Sequence, residues 1–263
     1  MKLIKLASNE NPIGTSPLAL NAMRKTLKEC YLYPDDTANY FRKRIADSFN
    51  LSLENVIAAN GSVELLPTGT AVMKNEFDEF MSNVPETILV VLDEAYHEYI
   101  TDPNYPDSFN YYKAGKNIIT LRTFSKIYGL AGIRLGYGYA KPEIIANLMK
   151  LRVSFNANRI SQAAGIAALD DHEHVKRGIE INDAGKEYLY NAYKKLGLIY
   201  MPTYANFIFV DFNQDSQVVF EKLQREGIIA RTIKEYGFPN AMRITIGTEK
   251  QNHRLINTLK KIL

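Results

Sequence analysis

The sequence predicts an α/β protein: a large domain built on a mostly parallel sheet, followed by a smaller α+β domain. Three observations carry that expectation. Two short apolar, β-branched runs, residues 88–92 and 117–121, read as buried strands. Each delivers polar chemistry at its carboxyl end, Asp93 after the first and Thr123, Ser125 and Lys126 after the second. From Lys141 onward the pattern changes to helices with a few strands between them.

Residues 6–17 are polar and rich in turn formers, so an extended arm is expected there. Ser16 and Pro17 then supply a cap and a first-turn proline for a helix over 18–29, with Leu20, Met23 and Leu27 on one face. A loop over 31–36 leads to a helix over 38–49 that turns Phe41, Ile45 and Phe49 inward. Residues 56–59 read as a strand entering Asn60-Gly61-Ser62-Val63-Glu64, a tight turn opening a helix. The backbone amides of such a turn form a ready phosphate site. Farther on, helices are expected over 142–152, 161–169 and 218–226, and over 183–196 as part of a longer one. Strands are expected over 207–212 and 243–246. Thr248 and Gln251 have capping-box spacing at the head of a last helix, 249–263. This divides the chain into an arm and helix (1–30), a large domain (31–150) and a C-terminal domain (151–263).

With 263 residues and 46% hydrophobic content the chain can bury a substantial core. Its 32 basic and 29 acidic residues are interspersed and leave a net charge of +3, which gives no reason to expect nucleic acid as a partner. The single cysteine, Cys30, rules out an intrachain disulfide and fits a reducing compartment; a half-buried place on a helix is expected for it. The start has no signal-like apolar core and no run approaches a membrane span, so a cytoplasmic protein is expected. The run DDHEH at 170–174 invites a metal reading, but His172 and His174 do not share a helix face, and a surface loop without metal is expected. Ser125 next to Lys126 does not read as a serine-lysine hydrolase, because adjacent residues of an extended chain point to opposite sides.

Two parallel strands ending in Asp93 and in Ser125-Lys126 would put a carboxylate and an amine around one crevice, where open α/β sheets bind ligands. That pairing suits pyridoxal phosphate: a lysine forms the imine, a carboxylate keeps the pyridine nitrogen protonated, and hydroxyls with an arginine hold the phosphate. Lys126, Asp93, Thr123 with Ser125, and Arg134 are the candidates.

The motifs DEAYHEY, RTFSK and LAGIRLGY resemble those of the fold-type I, pyridoxal-phosphate-dependent aminotransferases. With the opening LASNENPIGTSP, the step Tyr33-Pro34-Asp35, and ANFIFVDF, GIIARTIKEYG and NAMRITIGT in order, the chain resembles the histidinol-phosphate aminotransferase family in particular. The resemblance implies reversible amino transfer between histidinol phosphate and 2-oxoglutarate, giving glutamate, in histidine biosynthesis, by a cytoplasmic homodimer. It implies that Lys126 is catalytic, that Tyr96 bonds the ring's phenolic oxygen, and that Gly61 and Ser62 join Thr123, Ser125 and Arg134 at the phosphate. It places Tyr33 at the cofactor phosphate of the other subunit. Arg243, assisted by Arg231, would grip the substrate's anionic end, while Asn9, Glu10 and Asn11 of the arm would meet the substrate. Aromatic amino acid aminotransferases and threonine-phosphate decarboxylases share these motifs.

The pattern breaks once. Leu66 runs directly into Pro67-Thr68-Gly69-Thr70, which resembles the tail of an asparagine-rich loop whose asparagines, and most of the sheet segment before them, are missing. Either two segments of a longer chain are run together here, which the intact remaining motifs favour, or a real deletion has left an inactive scaffold.

Overall fold

The computed structural model describes residues 3–60 and 68–263. Gly61, Ser62 and the Leu66–Pro67 junction lie outside them. A two-residue strand β1 (Ile4–Lys5) opens the chain, and α1 (Pro17–Thr26) follows the arm, its N-cap Ser16 accepting a hydrogen bond from the Ala19 amide. Next come α2 (Asn39–Phe49), which buries Phe41 and Ile45, and β2 (Val56–Ala59). Burying each such side chain is worth about 1.5–3 kcal/mol. Then follow α3 (Lys74–Asn83), β3 (Val90–Asp93), α4 (Ser108–Lys113), β4 (Ile118–Thr123) and β5 (Gly136–Tyr139).

The second half runs α5 (Pro142–Leu151), α6 (Arg159–Ala168), the long α7 (His172–Lys195), β6 (Ile199–Met201), β7 (Phe207–Asp211) and α8 (Ser216–Arg225). Short strands β8 (Ile228–Ile229) and β9 (Arg231–Ile233), then β10 (Phe238–Thr245) and α9 (Glu249–Ile262), complete it. The Thr248/Gln251 capping box forms at the head of α9 as its spacing predicts.

The first four-stranded sheet has the order β2-β5-β4-β3. Only β3 and β4 are parallel; β5 runs antiparallel to both β4 and β2, so the sheet is mixed. Its main core joins Phe41, Ile45, Val56, Phe124, Leu135 and Tyr139. The second sheet, β6-β7-β10-β9, is antiparallel throughout and packs with α7, α8 and α9 around Leu189, Ile208, Val210, Ile244 and Leu255.

Several expectations change. The run at 88–92 is not uniformly buried: Val90 is buried, but Val91 is 60% exposed on β3, which is an edge strand of its sheet among the described residues. The 170–174 run is not a surface loop: Asp171 caps α7 and His174 is buried in its first turn. Cys30 is exposed, just past a 3-10 turn that follows α1. The arm is not polar at its root, for β1 pairs in parallel with β8, and Leu6 enters the second core.

Candidate active site

β3 and β4 are paired in register, with Asp93 opposite Leu121, so their carboxyl ends emerge side by side. Asp93 closes β3, and its Oδ1 accepts the Ala95 amide at 3.0 Å, which turns the chain sharply towards Tyr96. From the end of β4, the turn through Thr123, Phe124 and Ser125 presents half-buried Lys126, whose Nζ stands 5.2 Å from the centroid of the Tyr96 ring. Amine, phenol and carboxylate thus come from two neighbouring strand tips.

Beside them lies an anion cradle. Ser125 Oγ receives hydrogen bonds from Thr123 Oγ1 at 3.0 Å and from Arg134 NH1 at 3.1 Å. Arg134 adopts φ 56°, a left-handed conformation that costs a non-glycine residue about 1–3 kcal/mol. It also donates to the carbonyls of Ala131 and Asn60, the second just before Gly61. From this strained backbone the exposed Arg134 side chain reaches Ser125.

The arm passes against this group of residues. Gly129, in the loop after Lys126, has φ 66°, and a Cβ there would meet the Gly14 carbonyl oxygen at 2.0 Å. Only glycine permits so close an approach. Asn9 is buried; its Nδ2 donates to the Tyr96 hydroxyl at 2.8 Å, and its amide donates to Thr245 Oγ1 at 2.9 Å. Asn11 Nδ2 donates to the Ile127 carbonyl at 2.5 Å and lies 3.4 Å from His174 Nε2. Burial pushes the His174 pKa down, the larger influence against the pull of Asp171. Glu10 instead turns outward to pair with Lys5.

From the second sheet, Arg243 stands 5.0 Å over the Phe207 ring, which meets Tyr96 edge-on at 5.6 Å. A chain of contacts therefore runs Lys126, Tyr96, Phe207, Arg243. A hollow of about 230 Å³ opens against Asp93, Tyr96, Phe207 and the segment from Gly69 to Val72. Not every candidate joins this group. Arg231 is opposite Arg243 in the ladder, yet it is exposed and bonded to Glu235 at 2.8 Å. Tyr33 is 79% exposed and stacks on Phe155 at 4.8 Å, well outside the contact chain. Phe207, Asn206 and Thr245 were missing from the sequence expectation. Asn206 holds the Asn9 carbonyl at 3.0 Å, and its only sequence signal was its place before an apolar strand run.

An amine, a carboxylate and a hydroxyl-guanidinium cradle are the donor set that pyridoxal phosphate requires at its aldehyde, ring nitrogen and phosphate. The described residues fit it.

Comparisons with known proteins agree. The family Aminotransferase class I and II matches residues 66–259. Histidinol-phosphate aminotransferase of Moorella thermoacetica is 39% identical over 99% of this chain and 86% of its own. The aligned span of 330 positions is longer than the 263 residues present, so that relative carries a stretch with no counterpart here. Among solved structures, histidinol-phosphate aminotransferase of Sinorhizobium meliloti in complex with pyridoxal-5'-phosphate has a TM-score of 0.88 at 22% identity, covering 99% of this chain and 91% of that one. L-threonine-O-3-phosphate decarboxylase of Porphyromonas gingivalis has a TM-score of 0.88 at 14% identity, covering 98% and 99%. The chain has the fold-type I architecture and belongs to the class I and II aminotransferases.

Proposed function

We propose that this chain moves an amino group between histidinol phosphate and 2-oxoglutarate, a cytoplasmic step of histidine biosynthesis, as a homodimer using pyridoxal phosphate. The observation that carries the reading is the 39% identity to a histidinol-phosphate aminotransferase across nearly the whole chain. The fold shared with the threonine-phosphate decarboxylase does not compete with it, since at 14% identity it speaks for architecture alone.

Bound pyridoxal phosphate supplies an aldehyde that condenses with amines and a ring that draws electrons from the reacting carbon. In this reading Lys126 Nζ would be the base that moves the proton at the reacting substrate carbon. Asp93 would keep a proton on the ring nitrogen, and Tyr96, steadied by Asn9, would bond the ring oxygen. Thr123, Ser125 and Arg134 would hold the phosphate, joined by Gly61 and Ser62, which lie outside the described residues. Arg243, backed by Phe207, receives the substrate's anionic end. Arg231 can assist only by leaving Glu235. Asn9, Glu10 and Asn11 form the arm side of the substrate site, with Glu10 turning in from Lys5.

The homodimer is supported by an exposed apolar strip. Tyr33 and Phe155 stack there, and Leu151 and Val153 are 82% and 77% exposed. Tyr33 on that strip is free to reach a partner's cofactor phosphate.

The test is to incubate the full chain with pyridoxal phosphate and offer histidinol phosphate or phenylalanine as donor, with 2-oxoglutarate as acceptor. Glutamate formed from histidinol phosphate in preference is the expected result. Preference for phenylalanine selects an aromatic aminotransferase, and carbon dioxide released without use of 2-oxoglutarate selects a decarboxylase. No visible cofactor absorption, and none lost in Lys126→Ala, marks an inactive scaffold.

A further inference from the structure

Behind the strand tips that carry Asp93 and Thr123 lies a charged pair for which the mechanism above has no use. Glu94 follows Asp93 and Arg122 precedes Thr123, so both point to the opposite side from those residues. Arg122 Nε and NH2 both reach Glu94 Oε2 at 2.8 Å, with the two side chains 9% and 0% exposed. The Phe49 ring lies 5.3 Å from the guanidinium carbon. The Glu94 amide continues the ladder to the Leu121 carbonyl at 2.8 Å, one residue beyond β3. Burial pushes the Glu94 carboxyl up and Arg122 pulls it back down, whereas Arg122, desolvated but surrounded by Tyr137, Glu94 and Glu98, is held above the usual arginine value. His97, 3.6 Å from Glu94, is kept neutral by burial, its pKa pushed down to about 3.

Stability alone does not call for this pair. A buried ion pair contributes about as much as well-packed apolar residues of the same volume, or less, and its surroundings, Phe49, Tyr137 and Tyr139, are aromatic. What two directed hydrogen bonds add is a fixed register. β3 and β4 are the one parallel pairing of this sheet among the described residues, and they are joined by a crossover through α4 rather than a tight turn that would set their stagger.

We propose that the Glu94–Arg122 pair is a positioning device that pins the tips of β3 and β4, holding the Asp93 carboxylate and the Thr123-Ser125-Lys126 turn at the separation one cofactor ring requires. The inference rests on the pyridoxal phosphate reading, and its test separates the two. In the full chain, Glu94→Leu with Arg122→Met removes both charges of the pair together, while Arg122→Lys keeps the charge and loses the two-point bond. Arg42→Met serves as control, since Arg42 is equally buried but holds the Val56 and Leu53 carbonyls.

The double variant is expected to melt near the parent, to bind pyridoxal phosphate about tenfold more weakly by absorbance titration, and to shift the pH midpoint of the visible band. Arg122→Lys is expected between the two. Arg42→Met is expected to melt earlier with affinity and midpoint unchanged. Without cofactor, amide hydrogen exchange over residues 90–94 and 118–123 is expected to quicken in the double variant and in Arg122→Lys, but not in the control. Parent-like affinity, midpoint and exchange overturn the proposal. A parent that binds no cofactor overturns the functional reading instead, and exchange then decides the pin alone.

Discussion

Asn9 holds the site together more than its place in a polar arm implies. Its side chain and backbone bond Tyr96, Thr245 and Asn206, and it does so at φ 54°, a conformation asparagine tolerates better than most residues. Asn9→Ala removes the side-chain bonds and keeps the left-handed backbone, so a loss of about 2–3 kcal/mol in denaturant unfolding is expected. Glu98 makes a prediction of a different kind. Burial is the main cause that pushes its pKa up to about 7, against the pull of Arg122. From the unfolded value of 4.5 up to about 7 the folded state therefore holds the extra proton, and stability falls as pH rises through that window. His97, held near 3 against an unfolded 6.5, has the opposite sign, and its contribution is lost on acidification. Glu98→Gln should therefore raise the melting temperature more at pH 8 than at pH 5. An equal gain at both would mean that Glu98 does not titrate as described. At this scale the sequence was legible where residue chemistry is rare in its context, as at Lys126 and Asp93. Glu94 and Arg122 were invisible because charged residues in a motif look alike whether they face a ligand or the back of a sheet.

Among the elements, helices were easier to foresee than strands, and caps explain why. Ser16, Pro17, Thr248 and Gln251 mark helix ends locally, and the helices begin beside them. The strand β5, with the sequence GYGY, has no apolar alternation and acquires its place only by pairing with β2 and β4. The two-residue strands β1 and β8 exist only through each other. Even a cap can be concealed: Asp171, expected in a loop, starts α7 by accepting the His174 amide and also takes the Ser16 hydroxyl at 2.6 Å and the Leu18 amide at 3.3 Å. Burial pushes its carboxyl up, and those three bonds more than reverse the shift. Asp171→Ala should cost about 1–2 kcal/mol. Because the folded pKa is depressed, the wild-type advantage over Asp171→Ala should fade as pH drops through that pKa, which paired thermal melts at neutral and acid pH would read.

For the whole molecule, the two sheets and the arm between them were foreseeable, but the edge was not. Val91 on β3 and Ile88 just before it are 60% and 53% exposed, and the aligned relative carries residues that have no counterpart here. An apolar run reads as buried whether or not its neighbours are present, so the sequence pattern could not distinguish a central strand from an uncovered one. The strip of Tyr33, Leu151, Val153 and Phe155 carries a prediction of its own. Leu151→Glu should shift the sedimenting species from dimer towards monomer without lowering the melting temperature of the monomer, and an unchanged dimer would locate the interface elsewhere. The central claim is that Lys126 and Asp93, from adjoining strand tips, serve one cofactor. The most direct measurement is borohydride reduction of the full chain loaded with pyridoxal phosphate, followed by peptide mass mapping. The reduced cofactor is expected on Lys126 alone, with the visible band before reduction weakened in Asp93→Asn. Label spread over surface lysines, or a band indifferent to Asp93, would contradict it.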